Sequence, residues 1–211
     1  MNGTAKVPEP TASAVSAERR RVNPIFSSEM NQELRLSVPS DRRMIYPVVK
    51  MLQKFCERIG LLSAREQMRA GVALEEALIN AIVHGNLEVS SKLRELDDGS
   101  FEKLIALRLA KSPYQHRHVA VIARYSNSEV TFVIRDEGPG FDVSSIPDPT
   151  IEEYVSRPHG RGLLLMRTFM DEVEYNAAGN QVTLIKRRQI RESVRDSQET
   201  STSWSMCEAA G

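Results

Sequence analysis

Residues that staple or stiffen a chain are scarce here. Among 211 residues there are two cysteines and one tryptophan, and aromatic side chains make up 6%. Cys56 and Cys207 lie far apart with no metal-ligand spacing, so neither a disulfide framework nor a zinc site is expected, and a reducing compartment fits. The 11 glycines and 10 prolines are too few for a collagen-like or low-complexity chain. No apolar run approaches the roughly 18 to 20 residues of a membrane span, and the polar N-terminus lacks a signal-peptide core. Charge of either sign in excess is also missing. With 28 basic and 28 acidic residues the net charge is zero, which leaves no field to attract a phosphate backbone or an anionic membrane. Neither nucleic acid nor a membrane is an expected partner, and a cytoplasmic location is expected. What remains, 41% hydrophobic and 27% charged residues, describes one ordinary globular domain.

The composition divides the chain into three parts. Residues 1–30 are small or polar, with Pro8, Pro10 and a basic run at Arg19, Arg20 and Arg21, and are expected to form a disordered leader. Residues 191–211, rich in Ser, Glu, Arg and Thr, are expected to form a flexible tail. Between them, 31–190 carries the periodic patterns. Leu34, Leu36 and Val38 alternate with polar residues as a strand that stops at Pro39. Ser40 and Asp41 can cap a helix running through Leu52, Phe55 and Ile59 to Gly60, with Pro47 kinking its first part or marking its true start. Ser63 and Glu66 stand in capping-box spacing ahead of a second helix expected to reach Gly85. A third helix is expected at Phe101–Leu109. Val119–Tyr125 and Val130–Ile134 alternate around Ser126-Asn127-Ser128 as a hairpin, and a helix near 162–170 precedes strands at Glu172–Tyr175 and Gln181–Lys186. Alternating strands need one covered face, so the expected fold is an α/β (α+β) two-layer sandwich, its sheet mixed but mostly antiparallel and its helices on one side.

Three clusters within this domain carry chemistry. On the second helix Glu76, Asn80 and His84 stand at i, i+4 and i+8, one polar line among apolar neighbours, and a buried carboxylate and amide need partners. Next, Asp136-Glu137-Gly138-Pro139-Gly140 follows a strand. A carboxylate at a strand end can accept from an exocyclic amine such as that of adenine, and glycines let the backbone come close to a ligand. Finally, Gly160-Arg161-Gly162 opens a helix, where free N–H groups and a guanidinium fork suit phosphate oxygens. No Gly-Lys-Ser/Thr phosphate loop is present, and no third glycine or βαβ unit makes the last cluster a dinucleotide fingerprint.

In this order the clusters resemble the N box and the two glycine boxes of the GHKL (Bergerat-fold) ATP-binding superfamily. The texts Glu-Glu-Ala-Leu-Ile-Asn-Ala-Ile-Val-His-Gly and Phe-Met-Asp-Glu-Val look most like the RsbW/SpoIIAB-type anti-sigma factor serine kinases. The resemblance covers about residues 33–188 and implies ATP and Mg²⁺ as cofactors. It implies Asn80 as the Mg²⁺ ligand, Glu76 as the residue that orients or deprotonates the attacking hydroxyl, and Asp136 as the reader of the adenine amine. Gly138 and Gly140 would permit close approach, Gly160, Arg161 and Gly162 would hold the phosphates, and Thr183 would add a nucleotide contact from the last strand. Residues 141–159 would cover the nucleotide as a lid, with Arg157 as a further phosphate contact. The implied activity is a serine/threonine protein kinase that phosphorylates an anti-sigma factor antagonist and sequesters a sigma factor, working as a homodimer. A nucleotide-responsive binding module without transfer activity is the alternative, and a histidine-kinase-like ATPase domain a more distant one.

Overall fold

The computed structural model describes residues 33–96, 98–145 and 161–188. Within them the alternating segments form β1 (Glu33–Pro39), β2 (His118–Tyr125), β3 (Glu129–Arg135), β4 (Glu172–Tyr175) and β5 (Gln181–Arg187). They build one sheet in the order β1-β2-β3-β5-β4. Every neighbouring pair is antiparallel, so the sheet is not mixed as expected. The reason lies in one connection. β3 and β4 run in the same direction, but the hairpin return β5 lies between them, and no parallel ladder can form.

Register decides which residues meet. Ala123, Phe132 and Leu184 form one cross-strand row and Val121, Ile134 and Val182 the next, all six on the face that the helices cover. Phe132 and Leu184 are fully buried, and each such side chain contributes about 1.5–3 kcal/mol relative to exposure. Arg35 and Arg124 stand exposed on the opposite face, so the two-sided pattern seen in the sequence is the two-layer arrangement of the fold.

Four α-helices are described. In α1 (Ile45–Ile59) the buried residues Val48, Val49, Leu52 and Cys56 recur at helical spacing, and Gly60 ends it at φ +62°, donating its N–H to Cys56 O. Pro47 falls in the first turn, where its missing N–H breaks no helical bond. Asp41 caps a separate short 3₁₀ turn, Arg42–Met44, accepting the Arg43 N–H at 2.9 Å. The second helix, α2 (Ala64–Ile79), opens with the expected capping box: the Ser63 hydroxyl accepts the Glu66 N–H, and the Glu66 carboxylate accepts the Ser63 N–H at 2.7 Å. The others are α3 (Ser100–Leu109) and α4 (Arg161–Phe169). Both α1 and α4 pack against α2, which places α2 at the centre of the helical layer.

The expected α-helix to Gly85 does not hold to its end. From Asn80 to Asn86 the chain widens into a π-helix, closed by the Leu87 N–H on the Ile82 carbonyl at 2.9 Å. Ala81, Ile82, Val83, Asn86 and Leu87 are all buried there, while Asn80, His84 and Gly85 stay partly accessible. Tertiary packing overrides the simple 3.6-residue period here.

Candidate functional site

A cavity of about 400 Å³ opens where α2, the π-helical segment, the end of β3, the start of α4 and the β4–β5 hairpin converge. Ala77, Asn80, Ala81, His84 and Gly85 supply one wall, all on one side of the helix. Ile134, Leu163 and Val182 add apolar surface, and Asp136, Asn180 and Gln181 add polar groups. Mostly apolar walls with a few converging polar groups, at this volume, match an ordinary small-molecule site.

Asp136 is 8% exposed and lies against Gly85, where an added Cβ would stand 2.4 to 2.7 Å from its carboxylate atoms. Gly85 therefore exists to admit that carboxylate. Burial pushes the Asp136 pKa up to about 6, opposed by the Gly138 N–H that donates to Oδ1 at 2.8 Å and by the charges of Arg117 and Arg135. The backbone of Asp136 is fixed from the other side, its N–H donating to Asn180 O at 3.0 Å.

The glycines after Asp136 serve the protein before any ligand. A Cβ on Gly138 would stand 2.3 Å from Gly85 O, so this residue sits behind the carboxylate and not in the cavity. Gly140, at φ +75°, does line the cavity, yet a Cβ there would strike Ala178 O at 1.8 Å. Loop and hairpin interlock at that point, so Gly138 lies outside the lining while Gly140 is part of it, and both make room for protein backbone. The same packing brings Phe141 edge-on to Tyr175, with centroids 5.2 Å apart. Tyr175 also lines the cavity, and burial pushes its hydroxyl pKa up to about 12.

Glu76 and Asn80 divide the helix line between two places. Asn80 is in the cavity wall, whereas the Glu76 carboxylate meets the first turn of α4, where a Cβ on Gly162 would stand 2.7 Å from Oε2. Gly162 thus admits Glu76 beside the helix N-terminus. His84 Nδ1 faces the Val89 carbonyl at 2.5 Å, and because a carbonyl only accepts, Nδ1 carries the proton. Arg161 is exposed at the start of α4 and outside the cavity lining. Gly160 and Arg157 lie outside the described residues, as do most of the expected lid, the leader and the tail.

Thr183 is in the wrong place for the role expected of it. Val182 and Leu184, its neighbours, are 5% and 0% exposed on the helix-covered face, so strand alternation turns Thr183 to the opposite face, beside Val133 and Glu174. The hairpin reaches the cavity with Asn180 and Gln181 instead. Tyr175 was also missed, although it shares the period of two with Val173 on β4 that could have revealed it.

Among the described residues no cluster of His, Cys, Asp and Glu could hold a metal ion. One amide at Asn80 is still a suitable oxygen donor for an ion that takes most of its ligands from phosphate and water. A buried carboxylate acceptor, apolar walls and a glycine-lined helix start fit an adenine nucleotide chemically. The model of the histidine kinase-like ATPase domain family, whose members are ATP-binding domains of the GHKL type, matches residues 38–186. No curated protein matches the chain. Matched over most of its length and carrying the cavity that such a domain requires, the chain belongs to the histidine kinase-like ATPase domain family.

Proposed function

We propose that the chain is an ATP- and Mg²⁺-dependent serine/threonine protein kinase acting as an anti-sigma factor, which phosphorylates an antagonist protein and sequesters a sigma factor. The observation that carries this reading is the placement of Glu76 beside Gly162, one helical turn from Asn80 in the cavity wall. In this reading the terminal phosphate lies at the start of α4, and a carboxylate beside it is within reach of an incoming hydroxyl.

This reading gives each residue a role. Asp136 accepts the adenine amine at the closed end, between Gly85 and the Gly138 N–H. Asn80 gives one oxygen to Mg²⁺. The N–H groups that open α4 face phosphate oxygens, with Arg161 able to swing in from the surface. Bound ATP with its metal supplies the phosphoryl group and the neutralising charge, and in phosphoryl transfer most of the catalysis is positioning and electrostatics. Glu76 orients the serine or threonine hydroxyl and holds its proton at Oε1 or Oε2. A homodimer and a cytoplasmic setting belong to the same proposal; no described helix is long and apolar enough to cross a membrane.

The test is incubation of the full chain with γ-labelled ATP, Mg²⁺ and the proteins it retains from a native lysate. Label should appear on serine or threonine of a small retained protein. Glu76→Gln should cut transfer by about 10²–10⁴-fold with ATP still bound, the range of a lost general base. Label found only as inorganic phosphate would make the protein an ATPase, and binding without turnover would make it a nucleotide-responsive binding module.

A further inference from the structure

Asp136 does not hold its own position. The peptide that follows it donates the Glu137 N–H to Asn86 Oδ1 at 2.7 Å, and Asn86 is completely buried. The other end of that amide donates from Nδ2 to Ser40 Oγ at 2.8 Å, and Ser40 Oγ donates to Arg117 O at 2.7 Å. The Arg117 guanidinium donates to the Asn86 backbone carbonyl at 2.8 Å and also pairs with Glu88 at 2.8 Å. A chain of hydrogen bonds therefore runs from the β1 end through the π-helical segment to the turn that bears Asp136. The amide orientation is determined by its neighbours, because a backbone N–H only donates and must meet Oδ1.

We infer that Asn86, which lies outside the cavity, is a positioning residue that aims the Asp136 carboxylate into it and so sets the preference for an adenine base. This rests on the nucleotide reading of the cavity given above.

Three further observations support it. Among the described residues only five polar or charged side chains are buried, and Ser40, Asn86 and Asp136 are three of them, gathered around one turn. Every polar atom of the Asn86 side chain that the turn can use has a partner, and a fully satisfied buried network fixes one arrangement. Asn86 also directly follows Gly85, whose missing Cβ makes room for the same carboxylate. The extra residue of the π turn presents Gly85 and Asn86 side by side, one as space for Asp136 and the other as the clamp on its backbone. Without the clamp the carboxylate keeps its Gly138 bond, but the peptide on its far side is released. Adenine offers an amine to a carboxylate at that place, whereas guanine offers a carbonyl that the carboxylate repels, so freeing Asp136 erodes this discrimination first.

The experiment compares calorimetric affinities of the full chain for MgADP and MgGDP. Wild type should prefer MgADP. In Asn86→Ala the preference should shrink by about tenfold or more, since misplacement of a binding group by about 1 Å can cost up to a hundredfold. Ser40→Ala, which cuts the same chain one bond further out and removes less volume, should shrink it by a smaller factor and covers the case in which Asn86→Ala does not fold. Ser63→Ala, a helix-cap change far from the cavity, should lower the melting temperature and leave the preference unchanged. Unaltered preference in folded Asn86→Ala, or in Ser40→Ala when the former does not fold, would overturn the inference with the nucleotide reading intact. Absence of both affinities in wild type would instead overturn the nucleotide reading and this inference with it.

Discussion

A single carboxylate concentrates the consequences at the scale of the residue. Asp136 has a folded pKa of about 6 against an ordinary 3.8, so the folded chain binds more protons than the unfolded chain between those values. Stability supplied by this group is therefore complete at low pH and is lost as pH rises from about 4 to 6, a loss of about 3 kcal/mol in all. Urea unfolding at several pH values should show Asp136→Asn gaining on wild type across that window and holding a constant difference above it; parallel curves would show that Asp136 is not desolvated. Nucleotide binding has the opposite sign. In the role proposed for it, Asp136 accepts the adenine amine only when ionised, so ADP affinity should fall as pH drops below about 6, and the fall should be absent in Asp136→Asn. The surrounding glycines tell how much of this was readable beforehand. That Asp136, Gly138 and Gly140 belong together is visible in their spacing, but what their missing side chains make room for is not. Gly138 makes room for Gly85 O and Gly140 for Ala178 O, partners 53 and 38 residues away that only the fold brings near.

Elements were legible wherever local chemistry governs them. The strands follow their period of two, α1 ends at Gly60, and α2 starts at its capping box because those signals act within one turn. Two features needed the tertiary fold. Thr183 has the right chemistry for a ligand contact and the wrong parity, since register alone decides that Val182 and Leu184 turn inward. The π-helical end of α2 is set by the burial of Ile82, Val83 and Asn86 together, which no helical period predicts. At the other end of α2 the capping box permits a direct measurement. Glu66 is 6% exposed, its Oε2 accepts from both the backbone N–H and the hydroxyl of Ser63, and its Oε1 has no partner. Removing the hydroxyl from an already under-satisfied buried carboxylate should cost toward the upper end of a lost cap, about 1–2 kcal/mol. Ser63→Ala should therefore melt about 2–8 °C below wild type in calorimetry, and an unchanged melting temperature would mean that the cap contributes nothing to this helix.

For the molecule as a whole, the cavity is where distant segments are forced to agree. Its lining comes from residues 77–85, 134–141, 163 and 175–182, segments far apart along the chain. Order along the sequence was enough to suggest this convergence, because a polar helix line, an Asp-Gly turn and a glycine-opened helix seldom co-occur without a shared ligand. Sequence could not say that the walls would close on Asp136 with its backbone held from both sides. A ligand that bridges these segments binds the folded chain and not the unfolded one, so it must stabilise the entire domain. At a concentration one hundred times its dissociation constant the gain is about 2.7 kcal/mol, which for a domain of this size is about 5–10 °C in melting temperature. MgADP should raise the melting temperature of wild type by that amount, and Asp136→Asn at the same nucleotide concentration should lose most of the rise. Asn80→Ala should keep the rise with ADP alone and lose the additional rise that Mg²⁺ brings, because its amide is assigned to the ion and not to the base. If ADP leaves the wild-type transition unmoved, the convergence of these segments serves packing alone and the nucleotide site must be sought elsewhere.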